Sequence, residues 1–351
     1  MISESEVREI VGQINDPVLN VPIHETNGIL EVSIKEEKEH VSLKIALGRL
    51  GGQEQLDLQI KIVNAVKDAG ARSVGLRFAE LEAEVIEQFR NTSGTDTELK
   101  FKGTEFIAVA SGKGGVGKST VAVNLAVSLA KLGKKVGLID ADIYGFSVPD
   151  MMGITEKPRV EGETIFPVER FGVKVISMAF FVEENTPVIW RGPMLGQMLN
   201  NFFSEVEWGE LDYLLLDLPP GTGDIALDVH QILPTSKEII VTTPHPTAAF
   251  VAARAGAMAQ HTDHEIIGVI ENMSFFYNSV NNQKEYIFGR GGGERLADAL
   301  NVEVLGEIPL GQPELIEEDF SPSVYHEGEI SDIYDSIAQK LINETTQEVD
   351  A

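Results

Sequence analysis

One stretch constrains the fold of this chain more than any other: SGKGGVGKST, residues 111–120, between the apolar segment EFIAVA and the helical pattern VAVNLAVSLAKLG. It satisfies the spacing G-x-x-x-x-G-K-[ST] through Gly112, Gly117, Lys118 and Ser119. Glycines let successive backbone N–H groups turn inward around phosphates, and the N-terminus of the following helix adds its positive end. The spacing predicts that Lys118 reaches the β- and γ-phosphates and that the Ser119 hydroxyl ligates Mg²⁺.

The whole loop defines the predicted nucleotide contacts. These are expected to come from Gly112, Lys113, Gly114, Gly115, Val116, Gly117, Lys118, Ser119 and Thr120. The same letters also fit G-x-G-x-x-G, which alone is a weak dinucleotide signal, and chance glycine richness is a further alternative. The Lys-Ser-Thr ending favours a loop that binds ATP over both alternatives.

From residue 105 onward, short apolar segments alternate with helical patterns. The predicted strands are EFIAVAS, KKVGLID, VKVISM, LDYLLLDL, KEIIVTT, HEIIGVIEN and VEVLGEIP, and most are followed by Gly, Pro or Ser. Continuous apolar strands separated by helices indicate a largely parallel sheet that is covered on both faces. The sequence therefore predicts an α/β fold of the P-loop NTPase type over residues 105–351, with a twisted, largely parallel sheet flanked by helices.

Residues 1–90 have a different pattern. SESEVREIVGQI has helical spacing, and ILEVSIKEEKEHVSLKIAL alternates across a charged turn as a hairpin does. EQLDLQIKIVNAVKDAG is a second helix, and SVGLRF is a third strand. These residues are predicted to form a small α+β domain. Residues 91–104, NTSGTDTELKFKGT, are polar and without apolar periodicity, which predicts a linker.

Composition excludes several kinds of chemistry. The chain of 351 residues has no cysteine, which rules out disulfides, thiolate nucleophiles and cysteine-ligated metal within it. A formal net charge of −27 argues against strong binding to nucleic acid or anionic lipid, so DNA would be bound only through a local site. The start lacks an apolar signal core and no run of about 18 apolar residues occurs, so a cytoplasmic protein without membrane contact is expected.

Acidic side chains end two other predicted strands, where phosphoryl transfer needs them. LIDADIYG carries Asp140 and Asp142, and LLLDLPPGTGD carries Asp217. An aspartate in this place is also a common helix cap, and that alternative stays open for Asp142 and Asp217. The glycines and prolines after Asp217 suit a loop that contacts the γ-phosphate and moves on hydrolysis.

The loop KGGVGKST resembles the deviant Walker A loop of the ATPases that include the septum-site and plasmid-partition proteins and the nitrogenase iron protein. The resemblance implies a homodimer that encloses ATP at its interface. It also implies that Lys113 crosses to the partner's nucleotide and takes part in catalysis together with Lys118. The alternative is an exposed, solubilising Lys113.

The same resemblance assigns roles to residues outside the loop. It implies that Asp142 orients the attacking water, that Asp140 lies near Mg²⁺ and that Asp217 holds the magnesium through water. It also implies that Asn272, at the end of IIGVIEN, contacts adenine and that Pro309 in GEIPL closes over the base. A buried Asn272 that pairs only with backbone is the open alternative.

A longer set of motifs points to a narrower family. DADIYGFSVPDMMG, WRGPM, DLPPGTGD, TTPHPTAAF and ENMS…IFGRGGG resemble, in this order, the Mrp/ApbC family of P-loop ATPases, which carry and transfer iron–sulfur clusters. The resemblance covers residues 105–345, and the first 90 residues resemble the MIP18-type domain that many members carry. The family's Cys-x-x-Cys pair, which would hold a cluster bridging two subunits, falls here on Asn278 and Asn281. Amides do not replace thiolates for iron, and the cysteine-free chain resembles the SalA-type branch, which is associated with gene regulation.

Three functions are compatible with these patterns. The first is a slow Mg-ATP-hydrolysing homodimer in iron–sulfur cluster assembly or transfer, with client apoproteins or assembly proteins as partners. Any cluster would then be held by carboxylates, histidines or a partner protein. The second is a nucleotide-switched regulatory or scaffold protein that binds a protein or DNA. The third is a metabolic kinase or synthetase, which the tandem lysines and the lack of a visible acceptor site disfavour.

Overall fold

The chain forms two compact units, Met1–Lys100 and Phe101–Ala351, and each has its own buried apolar core. Phe101, which the sequence assigned to the linker, packs edge-on against Phe106 and Phe203 in the core of the second unit. Residues 91–99 of the predicted linker lie outside the described residues. The computed structural model describes residues 2–17, 19, 21–35, 39–48, 53–82, 85–86, 100–142, 145–162, 164–181, 192–222, 229, 232–233, 235–262, 264–278, 280–281, 283–313 and 322–349.

The first unit is a small α+β arrangement with the predicted order of elements. Strand β1 pairs with β2 in antiparallel fashion, and β2 pairs with β3 in parallel. The first helix begins with a capping box, in which the Ser3 hydroxyl accepts from the backbone of Glu6 and the Glu6 carboxylate accepts from the backbone of Ser3. The elements are α1 (Glu4–Gly12), β1 (Ile29–Lys35), β2 (His40–Leu47), α2 (Gln53–Asp68) and β3 (Ser73–Glu80).

The second unit is built on an eight-stranded sheet whose order is β15-β12-β11-β4-β10-β5-β9-β8. Every neighbouring pair is parallel except β8 with β9. The seven strands predicted from the sequence are all present, and they form the parallel part of this sheet. The strands are β4 (Glu105–Ser111), β5 (Val136–Asp140), β6 (Arg159–Glu161), β7 (Thr164–Phe166), β8 (Val168–Arg170), β9 (Val173–Ser177), β10 (Tyr213–Asp217), β11 (Lys237–Thr242), β12 (Ile266–Asn272), β13 (Phe276–Tyr277), β14 (Lys284–Glu285) and β15 (Val304–Ile308).

Helices cover both faces of this sheet. Along β4 and β10, successive side chains enter opposite apolar clusters, as the alternation of a strand requires. One cluster packs under α3, α4 and α8, and the other under α5, α6 and α7. The predicted α/β class is confirmed. The helices are α3 (Lys118–Lys131), α4 (Val148–Met152), α5 (Gly192–Ser204), α6 (Pro246–His261), α7 (Gly292–Leu300) and α8 (Glu329–Val349).

Five short strands were not predicted. They are β8, the antiparallel edge strand, and the hairpin pairs β6 with β7 and β13 with β14. Two or three residues give too little periodicity for a strand to be recognised in the sequence. None of the helices in the described part of the chain has the length and apolar content needed to span a bilayer.

Candidate nucleotide-binding site

The predicted site residues meet at the carboxyl ends of the central strands. Asp217, the last residue of β10, lies in register with Val109 of β4 on one side and with Asp140 of β5 on the other. The loop that follows β4 therefore starts beside both acidic strand ends. In an open parallel α/β sheet this edge is where ligands bind.

The glycines of the loop are required by its geometry. Gly115 and Gly117 have φ values of 81° and 83°, in the left-handed region that other residues rarely adopt. A Cβ on Gly112 would lie well inside 3.0 Å of the backbone of Val251 and Ala252 in α6. Only a glycine lets the loop and this helix approach so closely, so the loop is held between α6 and the start of α3.

A buried ion pair lies at the base of the loop. The Lys118 ammonium donates to Oδ1 of Asp217, and the two side chains are 6% and 0% exposed. Lys118 Nζ also lies 3.4 Å from Oγ of Ser119. The cation that was predicted to bind phosphate is thus paired with a carboxylate at the same edge of the sheet, and a phosphate would compete with that carboxylate for it.

The second carboxylate oxygen of Asp217, Oδ2, is a candidate ligand for a cation. Oδ2 is buried and accepts no hydrogen bond from the described residues. Such an unpaired carboxylate oxygen costs free energy unless a cation or donor reaches it. Carboxylate and hydroxyl oxygens are the ligands that Mg²⁺ prefers, so Asp217, with Ser119 on the adjoining loop, forms a donor set that fits this ion.

Asp140 and Asp142 lie on the next loop, and their surroundings differ. The Asp140 carboxylate is fully buried and accepts hydrogen bonds from backbone N–H groups and from the hydroxyl of Ser177. Burial, together with the nearby Asp217 carboxylate, raises the pKa of Asp140 to about 7. Asp142 is 8% exposed, and its Oδ1 accepts from the N–H of Gly145 at 3.1 Å. The neighbouring residues Ile143 and Tyr144 lie outside the described part of the chain.

Asn272 holds the loop from the other side. Its Nδ2 donates to the carbonyl of Val116 at 2.9 Å, and a Cβ on Gly117 would collide with the same Nδ2. The side chain is therefore packed against the loop backbone, which is the alternative that the sequence left open. Its predicted contact with adenine stays a prediction. The bond to Val116 could not be predicted from local sequence, since it joins residues 156 positions apart.

Pro309 lines a cleft of the second unit, and its predicted contact with the base stays a prediction. It directly follows β15, whose last residue Ile308 is in register with Asn272. The cleft has a volume of about 430 Å³, within the range of small-molecule sites. Its walls combine aromatic and apolar side chains with the polar side chains of Gln312, His326, Glu327 and Glu329. Lining residues include Phe276, Tyr277, Pro309, Leu310, Tyr325 and Ile330.

Two buried polar residues of the site were missed by sequence reasoning. Ser177 ends β9 in register with Asp140, so a search for polar residues at strand ends would have found it. Asn124 of α3 donates to the carbonyl of Ser323 at 2.8 Å and accepts from the N–H of Tyr325 at 2.9 Å. It connects the loop helix to a segment that lines the cleft, and no local pattern in the sequence marks it.

The two asparagines at the predicted cluster positions are engaged in turn hydrogen bonds. Asn278 accepts from the N–H of Val280 at 2.9 Å and donates to Glu285 at 2.6 Å. Asn281 accepts from the N–H of Gln283 at 3.0 Å. The two bonds to backbone N–H groups are Asx turns, and the bond to Glu285 links the two strands of the hairpin. Among the described residues, no group of three or more His, Asp or Glu side chains is arranged to hold a metal ion.

Lys113, predicted to act across a dimer, is exposed at the rim of the loop. Its own carbonyl accepts from the Ser111 hydroxyl at 3.1 Å, which fixes the backbone but leaves the side chain at the surface. Gly114 and Gly115 beside it are also exposed. The rim of the site thus faces solvent, while Lys118 and Asp217 lie beneath it.

Comparisons with known proteins agree with this geometry. A family model described as the NUBPL iron-transfer P-loop NTPase of the ParA type matches residues 102–342. The iron–sulfur cluster carrier protein of Bacillus subtilis is 62% identical over 344 residues, which are 97% of this chain and 98% of that protein. The Mycobacterium bovis protein of the same name is 42% identical, over 87% of this chain and 83% of its own length.

A solved structure gives the same result. The nucleotide-binding protein of Archaeoglobus fulgidus, in complex with ADP, is 35% identical with a TM-score of 0.53, and the match covers 71% of this chain and 93% of that one. The resemblance inferred from the motifs is confirmed. This chain belongs to the NUBPL iron-transfer P-loop NTPase family.

Proposed function

We propose that this protein binds and hydrolyses Mg-ATP as a homodimer and uses that cycle in iron–sulfur cluster assembly or transfer. The observation that carries the proposal is the buried pair of Lys118 and Asp217 beneath a glycine loop, with a second Asp217 oxygen that no described residue bonds. Relatives named iron–sulfur cluster carrier proteins support the cellular role. Release of phosphate from ATP by the purified protein, with and without Mg²⁺, is the direct test of the enzymatic part.

Each site residue has its own role in the proposed hydrolysis of ATP. The backbone N–H groups of residues 112–117 and the start of α3 surround the phosphates, and Lys118 leaves Asp217 to contact them. Ser119 and Asp217 would hold Mg²⁺, which when bound neutralises charge on the phosphate oxygens. Asp142 orients the water that attacks the γ-phosphate. The products are ADP and phosphate.

Lys113 is proposed to complete the site of the partner subunit. Its exposed position at the rim lets it reach a second nucleotide, whereas the buried Lys118 serves its own. We expect Lys113→Ala to retain nucleotide affinity within a few-fold and to lose turnover by a factor on the order of 10² or more, as for other charges supplied in trans. Steady-state hydrolysis and equilibrium binding of a fluorescent ATP analogue measure the two effects.

The matched control for that variant is Lys157→Ala, which removes another exposed lysine of the same unit. It should leave both quantities unchanged. If Lys113→Ala hydrolyses ATP as fast as the unaltered protein, Lys113 does not act in trans. Mixing Lys113→Ala with an Asp142→Ala chain should restore part of the turnover, since one intact site then forms in the mixed dimer.

The iron–sulfur cargo requires ligands that this chain does not offer as thiolates. It has no cysteine, and Asn278 and Asn281 use their side chains to close the hairpin. We therefore propose that the cluster is held by client or assembly proteins while this chain drives the exchange through its nucleotide cycle. Anaerobic reconstitution with iron and sulfide should leave no more metal on the protein than on its Lys118→Ala variant.

The double variant Asn278→Cys with Asn281→Cys tests the hairpin directly. Because the backbone pairing of β13 with β14 does not depend on these side chains, two thiolates introduced in the tip should lie in one turn and be available for a shared cluster. We expect iron and sulfide to be retained by this variant and not by Asn278→Ser with Asn281→Ser. Equal iron on the unaltered protein and the cysteine variant would show that other ligands hold a cluster.

A nucleotide-switched regulatory protein is the second candidate. It is favoured by the same Asx-closed hairpin, which leaves Val280 93% exposed at a place where relatives are expected to hold a cluster. Under this proposal the hairpin contacts a protein partner, or DNA at a local site, when ATP is bound. An ATP-dependent mobility shift with a specific DNA would support the regulatory protein. ATP-dependent capture of a defined client apoprotein of iron–sulfur assembly would support cluster transfer.

A further inference from the structure

The Asp140 carboxylate ties together both ends of the loop that carries Asp142. Its Oδ1 accepts from the N–H of Asp142 at 3.3 Å, where the loop leaves β5. Its Oδ2 accepts from the N–H groups of Ser147 and Val148, both at 3.2 Å, where the loop enters α4. One side chain therefore accepts hydrogen bonds from the backbone both before and after residues 143 and 144, which lie outside the described part of the chain.

Ser177 anchors this arrangement to the sheet. Its hydroxyl donates to the same Oδ2 at 2.9 Å, and it is fully buried at the end of β9, in register with Asp140. Ser177 Oγ also accepts from the N–H of Ala179 at 3.1 Å. The hydroxyl at the end of β9 and the backbone N–H groups of Asp142, Ser147 and Val148 thus all donate to the one carboxylate at the end of β5.

The same hydrogen bonds make Asp140 poorly suited to be a metal ligand. If its oxygens turned towards a metal ion, the donors on Val148 and Ser177 would lose their acceptor inside the protein. A buried donor left unpaired is strongly unfavourable. Asp217 differs in this respect, because no residue in the described part of the chain donates a hydrogen bond to its Oδ2 within ordinary distance.

We propose that Asp140 is a positioning residue that holds the Asp142 carboxylate towards the bound nucleotide, and that it is not a magnesium ligand. This inference rests on the proposed hydrolysis of ATP, in which Asp142 orients the attacking water. The assignment replaces the expectation from the sequence that Asp140 lies in the metal site. Ser177 takes part as the support of Asp140.

The kinetic test uses variants of both residues. Asp140→Asn keeps the shape of the side chain but turns one acceptor into a donor. It should lower kcat by roughly 100-fold, the scale of a misplaced reacting group, while KM and the affinity for Mg-nucleotide change less than about threefold. Ser177→Ala should lower kcat by roughly three- to tenfold, and Ser177→Thr, which keeps the hydroxyl, should restore it.

The dependence on Asp142 distinguishes positioning from an independent role. In an Asp142→Ala background, adding Asp140→Asn should change the residual kcat less than about twofold, because residues that act as a unit are not additive. A full 100-fold further loss would overturn the proposal. So would an Asp140→Asn variant with unchanged kcat and strongly weakened affinity for Mg²⁺, which would mark Asp140 as a metal ligand.

Amide hydrogen exchange in the nucleotide-free protein tests the tether without relying on hydrolysis. Asp140→Asn should speed exchange at Asp142, Ser147 and Val148 by at least about tenfold, while amides of β4 and α3 stay protected. Unchanged protection at these amides overturns the inference even if the protein hydrolyses ATP. If the unaltered protein shows no turnover, the proposed function fails, and the exchange result still decides whether Asp140 holds the loop.

Discussion

Replacing Lys118 by alanine should remove ATP turnover and at the same time destabilise the nucleotide-free protein. Turnover is expected to fall by a factor of about 10²–10³ or more, which is the usual loss when one preorganised donor to a developing charge is removed. Stability should fall by roughly 3–5 kcal/mol, because the fully buried Asp217 carboxylate loses its only described cationic partner. Phosphate release and urea unfolding measure the two losses separately.

A double variant separates the two consequences. Lys118→Met with Asp217→Leu replaces the buried ion pair with apolar side chains of similar volume. It should recover most of the lost stability, since a buried pair contributes little more than well-packed apolar groups. It should recover none of the turnover. If Lys118→Ala unfolds at the same urea concentration as the unaltered protein, the ion pair does not support the fold.

Gly112→Ala is expected to have the second largest effect. The added methyl group would overlap the backbone of Val251 and Ala252. Backbone atoms of a helix cannot move aside as the end of a flexible side chain can. The cost should be at least about 1–3 kcal/mol, as for other overpacked sites. Nucleotide affinity should fall at least about tenfold, because the loop amides move away from the phosphates. Isothermal titration with ADP and thermal unfolding record both changes.

Gly114→Ala is the matched control in the same loop. A Cβ at this position would meet only Cγ of Pro220, at an ordinary contact distance of 3.9 Å. The stability of this variant should therefore stay close to that of the unaltered protein. An equal loss of stability in the two variants would show that loop flexibility, rather than the contact with α6, is what Gly112 provides.

Much of the architecture could be predicted because the information is local. The seven parallel strands are continuous apolar runs, and the loop at residues 111–120 has a fixed spacing that follows from phosphate geometry. The same pattern predicted that Asp140 and Asp217 each end one of these strands. These elements are recognisable because each depends on a few neighbouring residues.

The remaining features depend on contacts between distant parts of the chain. The bond from Asn272 to Val116 and the packing of Gly112 on α6 join segments far apart in sequence. The role of Asp140 could not be separated from that of Asp217 by sequence, since both are aspartates at strand ends. Only the structure shows that donors surround one carboxylate and leave one oxygen of the other unpaired.

The hairpin of β13 and β14 has a consequence for how this protein can change over time. Asn278, Asn281 and Glu285 close it through hydrogen bonds that span no more than seven residues. Among the described residues, the glycine loop at positions 111–120 takes part in none of these bonds. Substitutions at Asn278 and Asn281 can therefore alter what the tip of the hairpin contacts and leave the proposed nucleotide site as it is.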